Sequence, residues 1–405
     1  MKVLVFNCGS STLKFELFDV ADGDTEQISR LARGLADRIG QEGLVNFSAT
    51  DGQNRREPAN LTGHDEAARR VLDWLDSAGL IGPAGIGGIG HRVVHGGDRF
   101  SAPAIIEDQV IAGIEEVTQL APLHNGPSLQ AIRAVKDALG TAVPMVAVFD
   151  TAFHRTMPQV ASRYAIPPEL ADLHHIQRYG FHGIAHRYLV ERYAAIAQRP
   201  LAGLKLVTLQ LGNGCSAAAV SGGRSLDTSM GLTPLEGLIM GTRSGDVDPS
   251  LPGFLARQEG VAAEEVEGWL NQRSGLYGVS GRSPDMRELL QAELEGDARA
   301  SLAIQMFCYR VRKYIGAYLA VLGGADAVVF GGGIGENASE VRRRICTGMD
   351  WCGLVLDPER NAAAVGIEAR ISANNAGVAA QVIPVDEAAI IVRETLACLS
   401  VRRTG

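Results

Sequence analysis

The chain has 405 residues, 46% of them hydrophobic and 21% charged, with a formal net charge of −8. That length exceeds what one hydrophobic core usually fills, so two domains are expected. The acidic balance argues against general affinity for nucleic acid, and any anionic substrate must find a local cluster of Arg and Lys.

Residues Val3–Phe6 are an apolar run that reads as a buried strand, and Phe15, Leu17 and Phe18 mark a second strand after the turn Gly9-Ser10-Ser11-Thr12. The turn offers backbone N–H groups and hydroxyls with no bulky side chain in front of them, and Lys14 adds a point charge. It reads as a phosphate-gripping hairpin or as an ordinary hairpin with a solvated turn. The first strand begins at residue 2 or 3, leaving no room for a signal sequence. No apolar run approaches the roughly eighteen residues that cross a bilayer. A cytoplasmic protein is expected. The six cysteines include no C-x-x-C pair, which suits reduced, packed thiols rather than a disulfide frame or zinc site.

Further along, Gly85-Ile86-Gly87-Gly88-Ile89-Gly90 fits the bare dinucleotide pattern. A loop with Pro83 precedes it and the strand-like His91–Val94 follows, which reverses the order that pattern needs. No G-x-x-x-x-G-K-[ST] occurs, nor the H-R-D and D-F-G segments of protein kinases. Pro144–His154 contains a buried strand ending at Asp150, and the Pro-bearing stretch near Pro158–Pro168 suits an inter-domain connection. Lys205–Ser221 repeats the opening pattern, with Gly212-Asn213-Gly214 as its turn, so the chain reads as two related halves. Phe307, Val311, Ile315, Tyr318 and Leu322 recur at helical spacing, Gly323-Gly324 ends that helix, and Ala327–Phe330 reads as a buried strand. The glycine-rich Gly331–Asn337 follows, a tight turn or a place where a nucleotide approaches the backbone.

Four segments place an ionisable residue beside glycine or at a strand end: His91–Gly97, Phe149–His154, Tyr179–Gly183 and Gly241–Asp246. Arg92 and Arg243 suit bidentate clamping of a phosphoryl group or carboxylate, and a histidine such as His182 can hydrogen-bond oxygens in transit. Singly, each also has a structural reading: surface ion pairs for the arginines, a satisfied imidazole for His182, a cap or turn residue for Asp150. His182 and His186 have the spacing of a zinc-binding H-x-x-x-H, but no Glu lies between them and Gly183 argues against a helix there.

Several motifs in order carry a family resemblance: N-x-G-S-S-[ST]-L-K at Asn7–Lys14, H-R-V-V-H-G-G at His91–Gly97, F-D-T-A-F-H at Phe149–His154, R-Y-G-F-H-G at Arg178–Gly183, L-G-N-G at Leu211–Gly214, the run Ser229–Asp246, and G-G-I-G-E-N at Gly332–Asn337. Over essentially its whole length the chain resembles the acetokinase family of the acetate and sugar kinase, Hsp70 and actin superfamily. The resemblance implies an α/β, two-domain, duplicated actin-like ATPase fold with βββαβαβα cores and an interdomain active-site cleft. Residues 1–150 plus 386–405 would form one domain and 151–385 the nucleotide-binding other. It implies Mg2+-dependent phosphoryl transfer between ATP and acetate, giving ADP and acetyl phosphate, with Mn2+ as a substitute metal and a homodimer as the assembly. Propionate or butyrate kinase, or an actin- or Hsp70-like ATPase, are the alternatives.

Carried over by position, the resemblance implies Asp150, His182 and Arg243 as catalytic, and Arg92, Val94, Leu123 and Pro234 as substrate-binding. Lys14, Gln210, Leu211, Gly212, Asn213, Gly214, Asp285, Met286, Arg287, Gly333, Ile334, Gly335, Glu336 and Asn337 would hold the nucleotide, and Asn7 and Glu387 the metal. Thr12 stands where the family more commonly has Ser, and Met286 where it often has Phe. Acetate, with a carboxyl pKa of roughly 4 to 5 like that of Asp or Glu, needs no base at neutral pH. Asp150 is therefore expected to position Arg92 or a metal-bound water rather than take a proton.

Overall fold

The computed structural model describes residues 1–21, 28–82, 85–120 and 122–404, the side chains of residues 120, 122–124 and 402–404 excepted. The Leu123 side chain, expected in an acyl pocket, thus lies outside the described residues. The chain divides into two compact units, Met1–Ala152 with Asp386–Gly405, and Phe153–Val385. The Pro-bearing stretch 158–168, expected to connect domains, instead lies inside the second unit, where Pro168 opens the short helix Pro168–Leu173.

The first unit is built on an eight-stranded sheet. Its strands are β1 (Lys2–Cys8), β2 (Thr12–Val20), β3 (Ile28–Asp37), β4 (Gly43–Ala49), β5 (Asn54–Ala59), β6 (Gly88–Val93), β7 (Ala104–Ile105) and β8 (Met145–Phe149), in the order β5-β4-β3-β2-β1-β6-β8-β7. β1 to β5 form an antiparallel meander, and β6 and β8 continue parallel to β1. Strand alternation sends Leu4, Phe6 and Cys8, with Leu13, Phe15 and Leu17 across from them, into one core. The helix His64–Ser77 covers that face with Ala67, Ala68, Val71, Trp74 and Leu75 at helical spacing, and Trp74 meets the rings of Phe15 and Phe47 at 5.8 and 5.4 Å. The opposite face receives the C-terminal helix Glu387–Thr404. A Cβ at Gly88 would fall 2.7 Å from Leu399, and one at Gly90 2.5 Å from Ile391. The glycine run thus serves close helix packing within β6, in agreement with the rejection of the dinucleotide pattern.

The second unit repeats the plan. Its strands are β9 (Lys205–Leu211), β10 (Cys215–Ser221), β11 (Arg224–Thr228), β12 (Ala327–Gly331), β13 (Ala369–Arg370) and β14 (Ala379–Val382), in the order β11-β10-β9-β12-β14-β13. Its first five positions match β3-β2-β1-β6-β8 in order and direction, the duplicated actin-like core. The helix Gly183–Ala197 packs Leu189, Val190 and Tyr193 on the face that carries Leu206, Ala218 and Val220. That helix begins at Gly183, the residue expected to oppose it. His182 just before it takes φ 56°, and His182 O accepts from His186 N at 2.9 Å. The helix Ala298–Leu322 buries Phe307, Val311, Ile315, Tyr318 and Leu322. It ends at Gly323 (φ 63°), with Gly324 N donating to Leu319 O at 2.8 Å. After β12 the glycine-rich stretch winds into a one-turn helix, Gly332–Asn337. Gly332 has φ 74°, and a Cβ there would fall 2.6 Å from Leu211 O, so only glycine fits this entry.

Candidate active site

In the first unit, strand register assembles a polar row. Asn7 lies opposite Lys14 across the β1–β2 pair and beside Arg92 across the β1–β6 pair, so three polar residues share one face at the strand ends. Asp150 follows β8, its N–H bonded to Val93 O at 3.0 Å. Arg92 Nε donates to both Asp150 oxygens at 3.2 and 3.1 Å, Nη2 donates to Oδ2 at 2.5 Å, and Nη1 donates to Asn7 Oδ1 at 2.9 Å. Asn7 Nδ2 in turn donates to Glu387 Oε2 at 2.9 Å, at the start of the C-terminal helix. The Asp150 side chain is fully buried. Burial disfavours the Arg92 cation, but Asp150 and then Glu387 outweigh it and raise the guanidinium above its usual value. For Glu387, burial comes first and pushes its carboxyl up, with Asp150 adding to the rise; Arg92, Lys14 and the Asn7 bond pull the other way.

Sequence reasoning missed the supports of this row. In the hairpin turn Gly9 N donates to Thr12 O at 2.8 Å, while His64 Nε2 lies 2.9 Å from Gly9 O and 3.2 Å from Thr12 O. Ser10 and Ser11 stay exposed. Beyond β6, Val94 is buried, and buried Asn125 grips the next residue: its Oδ1 accepts from His95 N at 3.0 Å and its Nδ2 donates to His95 O at 2.9 Å. Gly96 N donates to Thr151 Oγ1 at 3.0 Å. Nothing in the local sequence flags His64 or Asn125, and Thr151, though inside the Phe149–His154 motif, gives no sign of its partner; the partners of all three lie tens of residues away.

In the second unit, the turn between β9 and β10 forms the floor. Gln210 and Leu211 end β9, Gly212 N donates to Gly214 O at 3.1 Å, and Asn213 O accepts from Gly241 N at 2.9 Å. A Cβ at Gly214 would lie 3.4 Å from Cε1 and Nε2 of His182 and 3.7 Å from Arg243 Nη1, so the two side chains meet over this glycine. Arg243 Nη1 donates to Pro234 O at 2.9 Å. Burial pulls its pKa down, and among the described residues no carboxylate pairs with it. A half-buried guanidinium that no carboxylate neutralises has the chemistry to receive an oxyanion. The loop that carries it is pinned from behind: Glu236 bonds Arg178 and Tyr164, Asp246 Oδ1 accepts from Gly237 N at 2.8 Å, and Arg178 Nη1 reaches three carbonyls at 3.1–3.2 Å. Asp246, grouped with candidate site residues on sequence, is thus tied to this scaffold.

The remaining positions form two helix starts in the second unit. Gly333 is exposed, with open space where a Cβ would stand. Ile334 and Gly335 continue that turn. Asn337 Nδ2 donates to Gly333 O at 2.9 Å, whereas Glu336 turns inward, its Oε1 accepting from Gly332 N at 2.9 Å and Val385 N at 3.0 Å. Arg342, fully buried, holds this turn through Gly335 O at 2.8 Å and Glu336 O at 3.0 Å; burial draws its pKa down to about 10. In sequence Arg342 sits in an Arg-Arg-Arg run, which by itself gives no sign of burial. At the other start, Asp285 accepts from Arg287 N at 2.8 Å and pairs with the exposed Arg287 guanidinium, while Met286 is buried. The surface at 285–287 is therefore that of Asp285 and Arg287.

Comparison with known proteins adds four findings. The model of the Acetokinase family matches residues 2–393. An acetate kinase of Solibacter usitatus is 47% identical over 98% of both chains. Among solved structures, Porphyromonas gingivalis acetate kinase has a TM-score of 0.90 at 40% identity, covering 98% of this chain and 99% of its own. A propionate kinase from Francisella tularensis has 0.90 at 38%, with the same coverage.

Proposed function

The chain belongs to the acetokinase family, and from that premise we propose that it is an acetate kinase transferring the γ-phosphoryl group of ATP directly to acetate, reversibly. The observation that carries the chemistry is Arg243: a half-buried cation beside His182 over Gly214 that pairs with no carboxylate among the described residues is suited to an anion. A carboxylate oxygen of acetate attacks phosphorus, the bond to the bridging oxygen breaks, and ADP leaves with that electron pair. Such a transfer needs in-line positioning and neutralisation of charge rather than covalent help.

In this reading Arg243 stabilises the charge on the equatorial oxygens and His182 donates a hydrogen bond to one of them. Pro234 and Val94 provide apolar surface to the methyl group. Arg92 orients the carboxylate, and Asp150, doubly bonded to Arg92, orients Arg92. Lys14 and the Gly9–Thr12 turn contact phosphate, and Gln210–Gly214, Asp285–Arg287 and Gly333–Asn337 line the nucleotide, Glu336 by shaping its loop. Magnesium fits the first unit's row. Asn7 Oδ1, which accepts from Arg92, and the Glu387 carboxylate, one of whose oxygens accepts from Asn7, are hard oxygen donors with Asp150 behind them, and a divalent cation would offset the burial cost of the Glu387 carboxylate. When bound it neutralises and orients the transferring phosphates. The proposed enzyme is a cytoplasmic homodimer; among the described residues no helix is long and apolar enough to cross a membrane.

The test is hydroxylamine trapping of the acyl phosphate formed from ATP, magnesium and acetate, with propionate and butyrate in parallel. Acetyl hydroxamate that disappears on chelation is expected. ATP hydrolysis without hydroxamate from any short carboxylate would overturn the proposal. The propionate kinase relative makes the second arm informative, since one methylene in an apolar pocket is worth only about 1–3 kcal/mol of discrimination.

A further inference from the structure

Behind His182 lies a buried chain of alternating hydroxyls and imidazoles that the transfer reaction itself does not require. His182 Nδ1 is 2.9 Å from Ser216 Oγ, Ser216 Oγ is 2.8 Å from His186 Nε2, and His186 Nδ1 is 2.8 Å from Thr208 Oγ1. Thr208, Ser216 and His186 are fully buried. The fold explains the meeting. Thr208 and Gln210 share a face of β9, Ser216 stands opposite Gln210 on β10, and the helix Gly183–Ala197 lays His186 on that face. Burial, with His154 and His182 nearby, draws the His186 pKa well below its ordinary value, so this imidazole is neutral and carries one N–H.

A neutral His186 allows two polarities. In one, His186 Nδ1–H donates to Thr208, Ser216 O–H donates to His186 Nε2, and His182 Nδ1–H donates to Ser216. Thr208 then accepts, and its own hydroxyl proton has no acceptor, because His186 is its sole partner among the described residues. A buried hydroxyl left so keeps its desolvation penalty with no hydrogen bond to offset it. In the other polarity every proton is used: Thr208 O–H donates to His186 Nδ1, His186 Nε2–H to Ser216, and Ser216 O–H to His182 Nδ1. The His182 proton must then sit on Nε2, on the ring edge that faces the Gly214 position shared with Arg243. A neutral donor also suits this place better than an imidazolium beside a guanidinium.

We propose that Thr208, His186 and Ser216 act as positioning residues that hold neutral His182 as its Nε2–H tautomer, a ready donor to the transferring phosphoryl group. This rests on the reading of His182 given above. The other titratable groups around the chain make no hydrogen bond to it among the described residues, although the His154 ring packs edge-on against His186 at 5.6 Å. His154 Nε2 donates to Phe181 O at 3.0 Å with Ser225 Oγ 2.8 Å from its Nδ1, and burial pushes the Cys215 thiol up to about 12.

Long-range 1H–15N correlation on histidine-labelled protein at pH 7.5, without substrates, tests the tautomer independently of activity. The expected wild-type spectrum has His182 protonated on Nε2 only. Thr208→Val, nearly isosteric, and Ser216→Ala should each convert it to a mixture of tautomers. They should lower kcat about tenfold, less than the 10²–10³ for deleting a donor outright, with both KM values held within twofold. A wild-type His182 protonated on Nδ1, or an imidazolium, would overturn the proposal, as would a pure Nε2–H signal and unchanged kcat in Thr208→Val. Should the wild type make no acyl phosphate, the function fails while the spectrum still decides the tautomer.

Discussion

The equivalent rows of the two sheets carry opposite chemistry on the same scaffold. In the first unit the positions opposite and beside Asn7 are Lys14 and Arg92; in the second, those around Gln210 are Ser216 and Gly331. The first row is charged and self-neutralised, Arg92 being matched by Asp150 and by Glu387 at a helix start. The second row is uncharged, and its cation, Arg243, arrives on a loop without a counter-ion among the described residues. One arginine is thus tied to its own unit by carboxylates, and in the proposed function the other meets its first carboxylate or phosphoryl partner in the substrates. The lesson is that a duplicated core fixes where side chains can stand, while the charge placed there decides how far a cation is already neutralised before a ligand arrives.

The largest expected effect probes the unpaired arginine. Arg243→Ala should cut kcat by about three orders of magnitude, in the range of transition-state arginines. Its melting temperature should hardly move, because no carboxylate loses a partner. Arg243→Lys should restore little of the rate, for lack of the planar fork. Steady-state kinetics beside a thermal melt would break the comparison if stability fell with activity.

Arg92→Ala should reverse that balance. Stranding the buried Asp150 carboxylate is expected to cost about 3–5 kcal/mol of stability, measured by urea unfolding, together with a raised KM for acetate. The double variant Arg92→Ala with Asp150→Ala should recover part of the stability and none of the acetate affinity. Equal stability of Arg92→Ala and Arg243→Ala would erase the contrast.

A smaller effect is expected at Asp150. Asp150→Asn keeps an oxygen for Arg92 but loses the charge, so kcat should fall without adding or removing an ionisation in the rate profile between about pH 6 and 8. Apparent magnesium affinity should weaken as the Asn7 and Glu387 end loosens. A wild-type kinetic pKa that vanishes in the variant, with magnesium dependence unchanged, would make Asp150 an acid or base instead.

The smallest effect concerns buried histidines, one beside the first row and others in the second unit. Burial lowers His91 to about 3 and His154 to about 4, both from 6.5. The unfolded chain therefore binds protons that the folded one refuses, and stability should fall as pH drops from about 6.5 towards those values. His91 stacks on Phe6 at 5.4 Å, and its Nε2 has no partner among the described residues, so His91→Phe should flatten the acid slope at little cost near pH 7. His154, bonded at both nitrogens, should tolerate no such change. Thermal melts from pH 4 to 7 separate the two.

Much of this was legible in the chain because it is local. The helix ending at Gly323, the hairpin around Gly9–Thr12 and the strand Met145–Phe149 each carry their own periodicity and stop signals. The start of a helix at Gly183 was not, because propensity at one residue yields to the packing of Leu189 and Tyr193 on the sheet. Nor was the work of Arg342, whose burial beneath the Gly332–Asn337 turn no feature of its charged run announces.

By itself, then, the sequence determined which residue types were available, where the strongly periodic elements lie, and, through a series of motifs in order, which family the chain joins. Only the tertiary structure decided the partnerships. Asn7 meets Glu387 across 380 positions, Arg92 meets Asp150 across 58, and His182 meets Ser216 across 34. The physical reason is that strand register and helix packing choose neighbours by geometry, and charge and tautomer follow from those neighbours. No window of sequence contains them.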